Sequence, residues 1–336
     1  MKSNFLAEIK PQFNFWVRFY SMNFWYALSA VFGTGLFLII YFIVTDIETE
    51  LGKFLYPVVN TSAFFVTILF ILIADKMNYS VTKYQINDDK IYFEEGFLNF
   101  KSKTISLNDV KEIHLTQNFI QKEFGLSTIK FITSANNSTN IDGIAFKDIE
   151  NGEEIYKKIK ELYSLSSDSI LEARPKFDEL VRISANSLNR LAFGILISGI
   201  IEICHIPHMI MYGDNSTFEN FLMTYFVLFL IGFILMVLIA TFIDIMNYKN
   251  TSYNVYSDHI EFDGGFFNHK HIFVKSENIK EIRLTQNFFQ RIVELGAIKF
   301  ITAANSVNCM SGISFSDIPN SLAVYTKVKQ LHQSQT

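Results

Sequence analysis

Hydrophobic and polar positions alternate along the chain between two regimes, and each regime occurs twice. Residues 24–44, 54–74 and 221–243 are apolar without a charge, and residues 191–211 are apolar except for Glu202, His205 and His208. A stretch of about 20 such residues, rising ~1.5 Å per residue, matches the ~30 Å hydrocarbon core of a bilayer. The pattern therefore predicts four transmembrane helices arranged as two hairpins. The regions after each hairpin behave differently. Val81 to Ile86 alternates in polarity and stops at Asn87-Asp-Asp89, and Ile91 to Phe93 alternates up to Gly96. Further runs at 103–107, 110–116, 127–134 and 143–146 read as short strands. Asn151 and Glu154, three apart, predict a capping box that opens a helix with Ile155, Ile159 and Leu162 on one face.

A shift of 169 positions lays residues 75–149 on 244–318 without a gap. Asp75, Met77, Asn78 and Tyr79 meet Asp244, Met246, Asn247 and Tyr248. Leu115-Thr-Gln-Asn-Phe-Ile-Gln121 meets Leu284-Thr-Gln-Asn-Phe-Phe-Gln290, and Ile129-Lys-Phe-Ile-Thr133 meets Ile298-Lys-Phe-Ile-Thr302. Earlier in each copy, Pro11, Phe13, Val17 and Arg18 recur as Pro175, Phe177, Val181 and Arg182. The repeating unit is thus a lead-in segment, a hairpin and a β-rich domain closed by a helix. The expected division is an interfacial segment (1–23), a hairpin (24–74), a domain (75–165), a linker with a second interfacial segment (166–190), a hairpin (191–243) and a second domain (244–336).

Charge adds an orientation. Lys2, Lys10 and Arg18 precede the first span, and Lys76, Lys83, Arg174, Lys176, Arg182, Arg190 and Lys249 flank the hairpins, whereas the hairpin loops are acidic. The positive-inside rule then predicts a multi-pass protein of the inner cell membrane with both termini and both domains cytosolic. The aromatic run Phe13, Phe15, Trp16, Phe19, Tyr20 fits an interfacial anchor. Composition agrees with lipid: 49% of residues are hydrophobic and 35 are Phe. A net charge of −4 argues against a nucleic-acid partner. Cys204 and Cys309 read as free thiols, and with no Cys-x-x-Cys the cysteine count excludes zinc.

The order of these elements resembles the bacterial pleckstrin-homology (PH)-like proteins, the membrane-flanked domains, in two tandem copies. The likeness lies in a first strand entered from a helix (Tyr79 to Ile86), the turn with Asp89, the Gly96 hairpin, and the run from Ile113 to Thr133. Within that run the family shows two nearby glycines. Here each copy keeps one, since Gly125 faces Glu294 and Ser127 faces Gly296. The resemblance implies a curled antiparallel sheet capped by a C-terminal helix. The expected fold class is accordingly membrane α-helical hairpins plus β-rich α+β domains, with each repeat formed by two transmembrane helices and a PH-like sheet.

Candidate chemistry is sparse. No nucleophile elbow, phosphate loop or zinc-protease motif occurs, so neither an enzyme nor a cofactor is expected. Glu202, His205 and His208 could share a helix face and are the metal candidates, against a reading in which Pro207 ends the span early and leaves the histidines at the outer interface. Gln117, Asn118 and Gln121, with Gln286, Asn287 and Gln290, are candidate partner-binding groups beside an exposed aromatic. The plainer reading makes Asn118 and Asn287 caps of a short turn and sends Phe119 and Phe288 into the core. The first hairpin turns, around Asp89 and Asp258, lack the basic cluster that a phosphoinositide head group needs. Expected partners are the lipid bilayer and a protein, or a second copy of the chain. The expected role is a protein-interaction or scaffolding module, which the resemblance extends to envelope protection and resistance to membrane-active peptides. The alternative is a component of a transport or export complex.

Overall fold

The computed structural model describes residues 5–20, 50–87, 89–97, 99–133, 143–163, 169–182, 237–302 and 312–333, together with 227, 230 and 234–235. The chain divides into two compact units, with the described residues up to 163 in the first and those from 169 onward in the second.

The first unit pairs β1 (Phe5–Ile9), β2 (Lys83–Asn87), β3 (Lys90–Glu95) and β4 (Lys101–Ser106) antiparallel in that order. After a 3-10 turn at Leu107–Asp109, β5 (Val110–Asn118), β6 (Leu126–Thr133) and β7 (Gly143–Glu150) form an antiparallel meander. Among the described residues it also holds the helices α1 (Phe15–Arg18), α2 (Glu50–Val81), α3 (Phe119–Glu123) and α4 (Gly152–Tyr163). The period-2 pattern explains the sheet. Tyr84, Ile86, Ile113, Leu115, Ile129, Phe131, Phe146 and Ile149 all point inward and are buried. Phe146 stacks on Tyr84 with centroids 4.5 Å apart and meets Phe131 edge-on at 5.1 Å. On α4, Tyr156 and Ile159 are buried, and the helix packs on β5 and β6.

The second unit repeats the plan. β8 (Leu171–Ala173), β9 (Ser252–Val255), β10 (His259–Gly264) and β11 (Asn268–Lys275) pair in that order. β12 (Ile279–Thr285), β13 (Leu295–Thr302) and β14 (Gly312–Pro319) form the meander. The helix described over residues 237–249 (α5) leads into β9, α6 (Phe288–Ile292) follows β12, and α7 (Ser321–Gln333) closes the unit. Tyr253, Phe300 and Phe315 occupy the places of Tyr84, Phe131 and Phe146, with Tyr253 and Phe315 stacked at 4.4 Å.

Two expectations need correction. Among the described residues, no helix is long and apolar enough to cross a membrane. Transmembrane hairpins are therefore removed from the fold class, and with them the multi-pass topology and the placement at the inner cell membrane. Stretches 24–44 and 191–211 lie outside the described residues, and 221–243 lies mostly outside them. Stretch 54–74 lies within α2, which exposes Phe65, Val66, Leu69, Phe70 and Ile73. Within that stretch Pro57, Asn60, Thr61, Ser62 and Thr67 interrupt the apolar run. Second, Asn151 and Asn320 do not sit in the extended conformation usual for a helix N-cap. Both are left-handed, with φ of 52° and 50°.

Candidate functional site

The repeated Thr-Gln-Asn-Phe-x-Gln segment makes the strand-to-helix turn that joins β5 to α3 and β12 to α6. Asn118 has extended backbone and accepts from the Gln121 backbone N–H at 2.7 Å, while the Gln121 side chain accepts from the Asn118 N–H at 3.1 Å. Asn287 and Gln290 repeat this reciprocal box at 2.7 and 3.0 Å. Each box satisfies two donors that a helix start would otherwise leave open. Gln117 Nε2 donates to the Leu126 carbonyl at 2.9 Å, and Gln286 Nε2 to the Leu295 carbonyl at 2.8 Å, tying the turn to the strand that follows.

The second glutamine of the motif reaches further in. Gln121 Nε2 donates to Asp148 Oδ1, and Gln290 Nε2 to Asp317 Oδ1, both at 2.6 Å. The other oxygen of each carboxylate accepts from a tyrosine hydroxyl, Tyr79 in the first unit and Tyr248 in the second. An arginine guanidinium lies over each tyrosine ring, Arg18 at 5.2 Å and Arg182 at 4.5 Å from the centroid. Arg18 is held by Asp75 at 2.9 Å and stands 3.9 Å from Asp148, while Arg182 stands 3.9 Å from Asp317. Phe13 and Phe177 meet the same tyrosine rings edge-on at 5.9 and 5.6 Å. Burial, reinforced by the adjacent carboxylate, drives the Tyr79 and Tyr248 hydroxyls well above the usual tyrosine range, so both remain protonated donors.

Each network joins four separate pieces of chain: the lead-in segment, the end of the long helix, the capped turn and the last strand. Asp148 and Asp317 can serve because they occupy a left-handed backbone position, φ 50° and 52°, that Asp tolerates better than most residues. Arg18, Tyr79 and Asp148, with Arg182, Tyr248 and Asp317, were not singled out from sequence. The repeat carried the signal, because these residues are identical at matched positions in the two copies.

The geometry separates the candidate groups into an inner and an outer set. The six amides bond within their own turn and to its neighbours, and Gln121 is buried. The aromatics face the other way. Phe288 is 73% exposed, Ile292 62% and Phe119 47%, with Phe124 and Phe289 also exposed. Phe119 and Phe288 therefore do not enter the core, although Asn118 and Asn287 do cap the turn. Glu202, His205 and His208 lie outside the described residues, as do Cys204 and Cys309.

This duplicated architecture has a counterpart among known families. The family model for the bacterial PH domain matches residues 35–163 and again 217–332, together well over half of the chain. No curated protein and no solved structure matches it. The chain belongs to the bacterial PH domain family and carries that domain twice.

Proposed function

We propose that the protein is a non-catalytic interaction module whose two PH-like domains bind protein partners through the apolar tips of α3 and α6. In this reading Gln117, Asn118 and Gln121, with Gln286, Asn287 and Gln290, are the frame, and Phe119, Phe124, Phe288, Phe289 and Ile292 make the contact. The observation that carries the proposal is the division just described: large apolar side chains project from turns whose polar groups bond inward. Exposed aromatic clusters on a rigid support are favourable contact points, because little conformational entropy is lost when they are covered. Lys122 and Arg291 beside the tips favour an acidic rim on the partner. No described residue favours the narrower roles in envelope protection or export, and they are not adopted.

The test is crosslinking and mass spectrometry on the full chain purified from its native source. Wild type is compared with F119D and with F288D/I292D, after circular dichroism has shown that each variant is folded. The expected result is a defined protein partner, or a second copy of the chain, recovered with wild type and lost from the variants. Recovery of the same partner by folded F119D and F288D/I292D would overturn the assignment of the surface.

A further inference from the structure

We propose that the second domain carries a divalent transition-metal site, with zinc as its natural occupant, formed by Asp263, His269 and His271. The ligand set is assembled by the β10–β11 hairpin. Asp263 and His271 are direct cross-strand partners, and His269 lies two residues before His271, so all three side chains rise from one face of the sheet. Gly265 fixes the hairpin between them. Its φ is 110°, and a Cβ there would meet the Asn268 carbonyl oxygen at 2.0 Å, so the tight return of the chain requires glycine.

The donor atoms already converge. Asp263 Oδ1 stands 2.9 Å from His269 Nε2 and 3.3 Å from His271 Nδ1, and one donor atom from each residue falls within 4.8 Å of the others. Zinc bonds of about 2.0–2.2 Å in tetrahedral array place neighbouring donors roughly 3.3–3.6 Å apart, so only a small adjustment is needed. The two rings meet edge-on, 4.5 Å between centroids at 84°, which lets both present a nitrogen lone pair to one point. The side chains are 38%, 30% and 29% exposed, open enough for an ion to enter. Two imidazoles and one carboxylate suit zinc, copper, iron or nickel rather than calcium or magnesium. Three protein ligands leave a fourth position for water or for a ligand from a partner. The exclusion of zinc from the cysteine count is withdrawn here, because a missing Cys-x-x-Cys bears on thiolate ligands and not on histidine and aspartate. The His-x-His pair on a strand, one hairpin turn after Asp263, is the pattern that reveals this one.

The duplication supplies an internal comparison. At the matching positions the first domain has Glu94, Phe100 and Ser102, on the equivalent β3–β4 hairpin with Glu94 paired to Ser102. The hairpin is shared and the nitrogen donors are not, so the hairpin itself does not require them. The nearby His259 does not complete the set. It is buried between Tyr256 and Phe273, with Nδ1 2.6 Å from Asp258 and Nε2 3.3 Å from Glu261.

The decisive experiment titrates the chelator-treated full chain with Co²⁺, read by its visible ligand-field absorption, and then displaces it with Zn²⁺. One equivalent per chain is expected. It should be lost in H269F/H271S, which installs the residues of the first domain, and in the near-isosteric D263N. It should persist in H332A, which alters a histidine on α7. Absence of stoichiometric binding in wild type would overturn the proposal. So would one equivalent retained by D263N or by folded H269F/H271S, and Asp263 would then be only a hydrogen-bond acceptor for the two imidazoles.

Discussion

At the residue scale, the two places where the copies depart from the paired glycines have separate explanations. Gly125 has φ 64°, and Glu294 holds the same left-handed turn at φ 57°. A residue with a Cβ pays roughly 1–2 kcal/mol there, partly offset because glycine has more freedom to lose on folding. E294G should therefore stabilise the second domain by about 0.5 kcal/mol, seen as a rise in its denaturant midpoint. The other departure is a compensated exchange. In the first copy Ser127 faces Gly152, where an added Cβ would lie 1.6 Å from the serine Oγ. In the second copy Gly296 faces Ser321, where it would lie 2.4 Å from Oγ and 2.8 Å from Cβ. Serine and glycine have swapped sides of the same contact. G296S alone should cost about 1–3 kcal/mol through overpacking, and G296S/S321G should recover most of it. Additive losses in that double-mutant cycle would contradict a direct contact.

The tyrosines set a pH limit. Burial pushes Tyr253 up to about 12 and also raises Tyr79, Tyr84 and Tyr248. A tyrosine whose folded-state pKa exceeds its unfolded value near 10 contributes its full stabilisation below pH 10 and loses it as pH rises toward the folded value. Stability due to these residues should be level up to about pH 10 and fall between about 10 and 12. Y79F/Y248F should weaken that alkaline loss, and an unchanged alkaline transition would point to other groups.

At the element scale, the capped turns are the best-determined short pieces of the fold. Removing the side chain of Gln121 deletes a cap and leaves Asp148 without one of its donors, so Q121A should cost about 1–3 kcal/mol. Q290A should do the same in the second unit. Hydrogen exchange should show the loss first in α3 or α6 and in the end of β7 or β14. Strands and closing helices were legible because period-2 and period-3.6 patterns report burial on one face. The amide-to-aspartate bonds were not, because Gln121 and Asp148 are brought together by strand pairing that no local pattern records. The direction of the aromatics stayed open between two readings for a related reason: a phenylalanine in a short turn carries no periodicity to say which way it faces.

At the scale of the whole molecule, duplication was the strongest message of the sequence, and the structure renders it as two units with the same order of elements and the same Arg–Tyr–Asp–Gln network. The membrane expectation is withdrawn, because among the described residues no helix is long and apolar enough to cross a bilayer. The lead-in segments also changed role. Expected as interfacial anchors, they instead provide β1 and Arg18 in the first unit and β8 and Arg182 in the second. The protein is thus a pair of domains built to hold one short turn rigidly, with its apolar side outward. The most direct test of that account is photocrosslinking in the native cell, with a photoreactive residue placed at position 119, at 288, or at the exposed Lys158 on α4. The account predicts a discrete protein adduct from 119 or 288 and none from 158. No adduct from either tip, or the same adducts from all three positions, would contradict it.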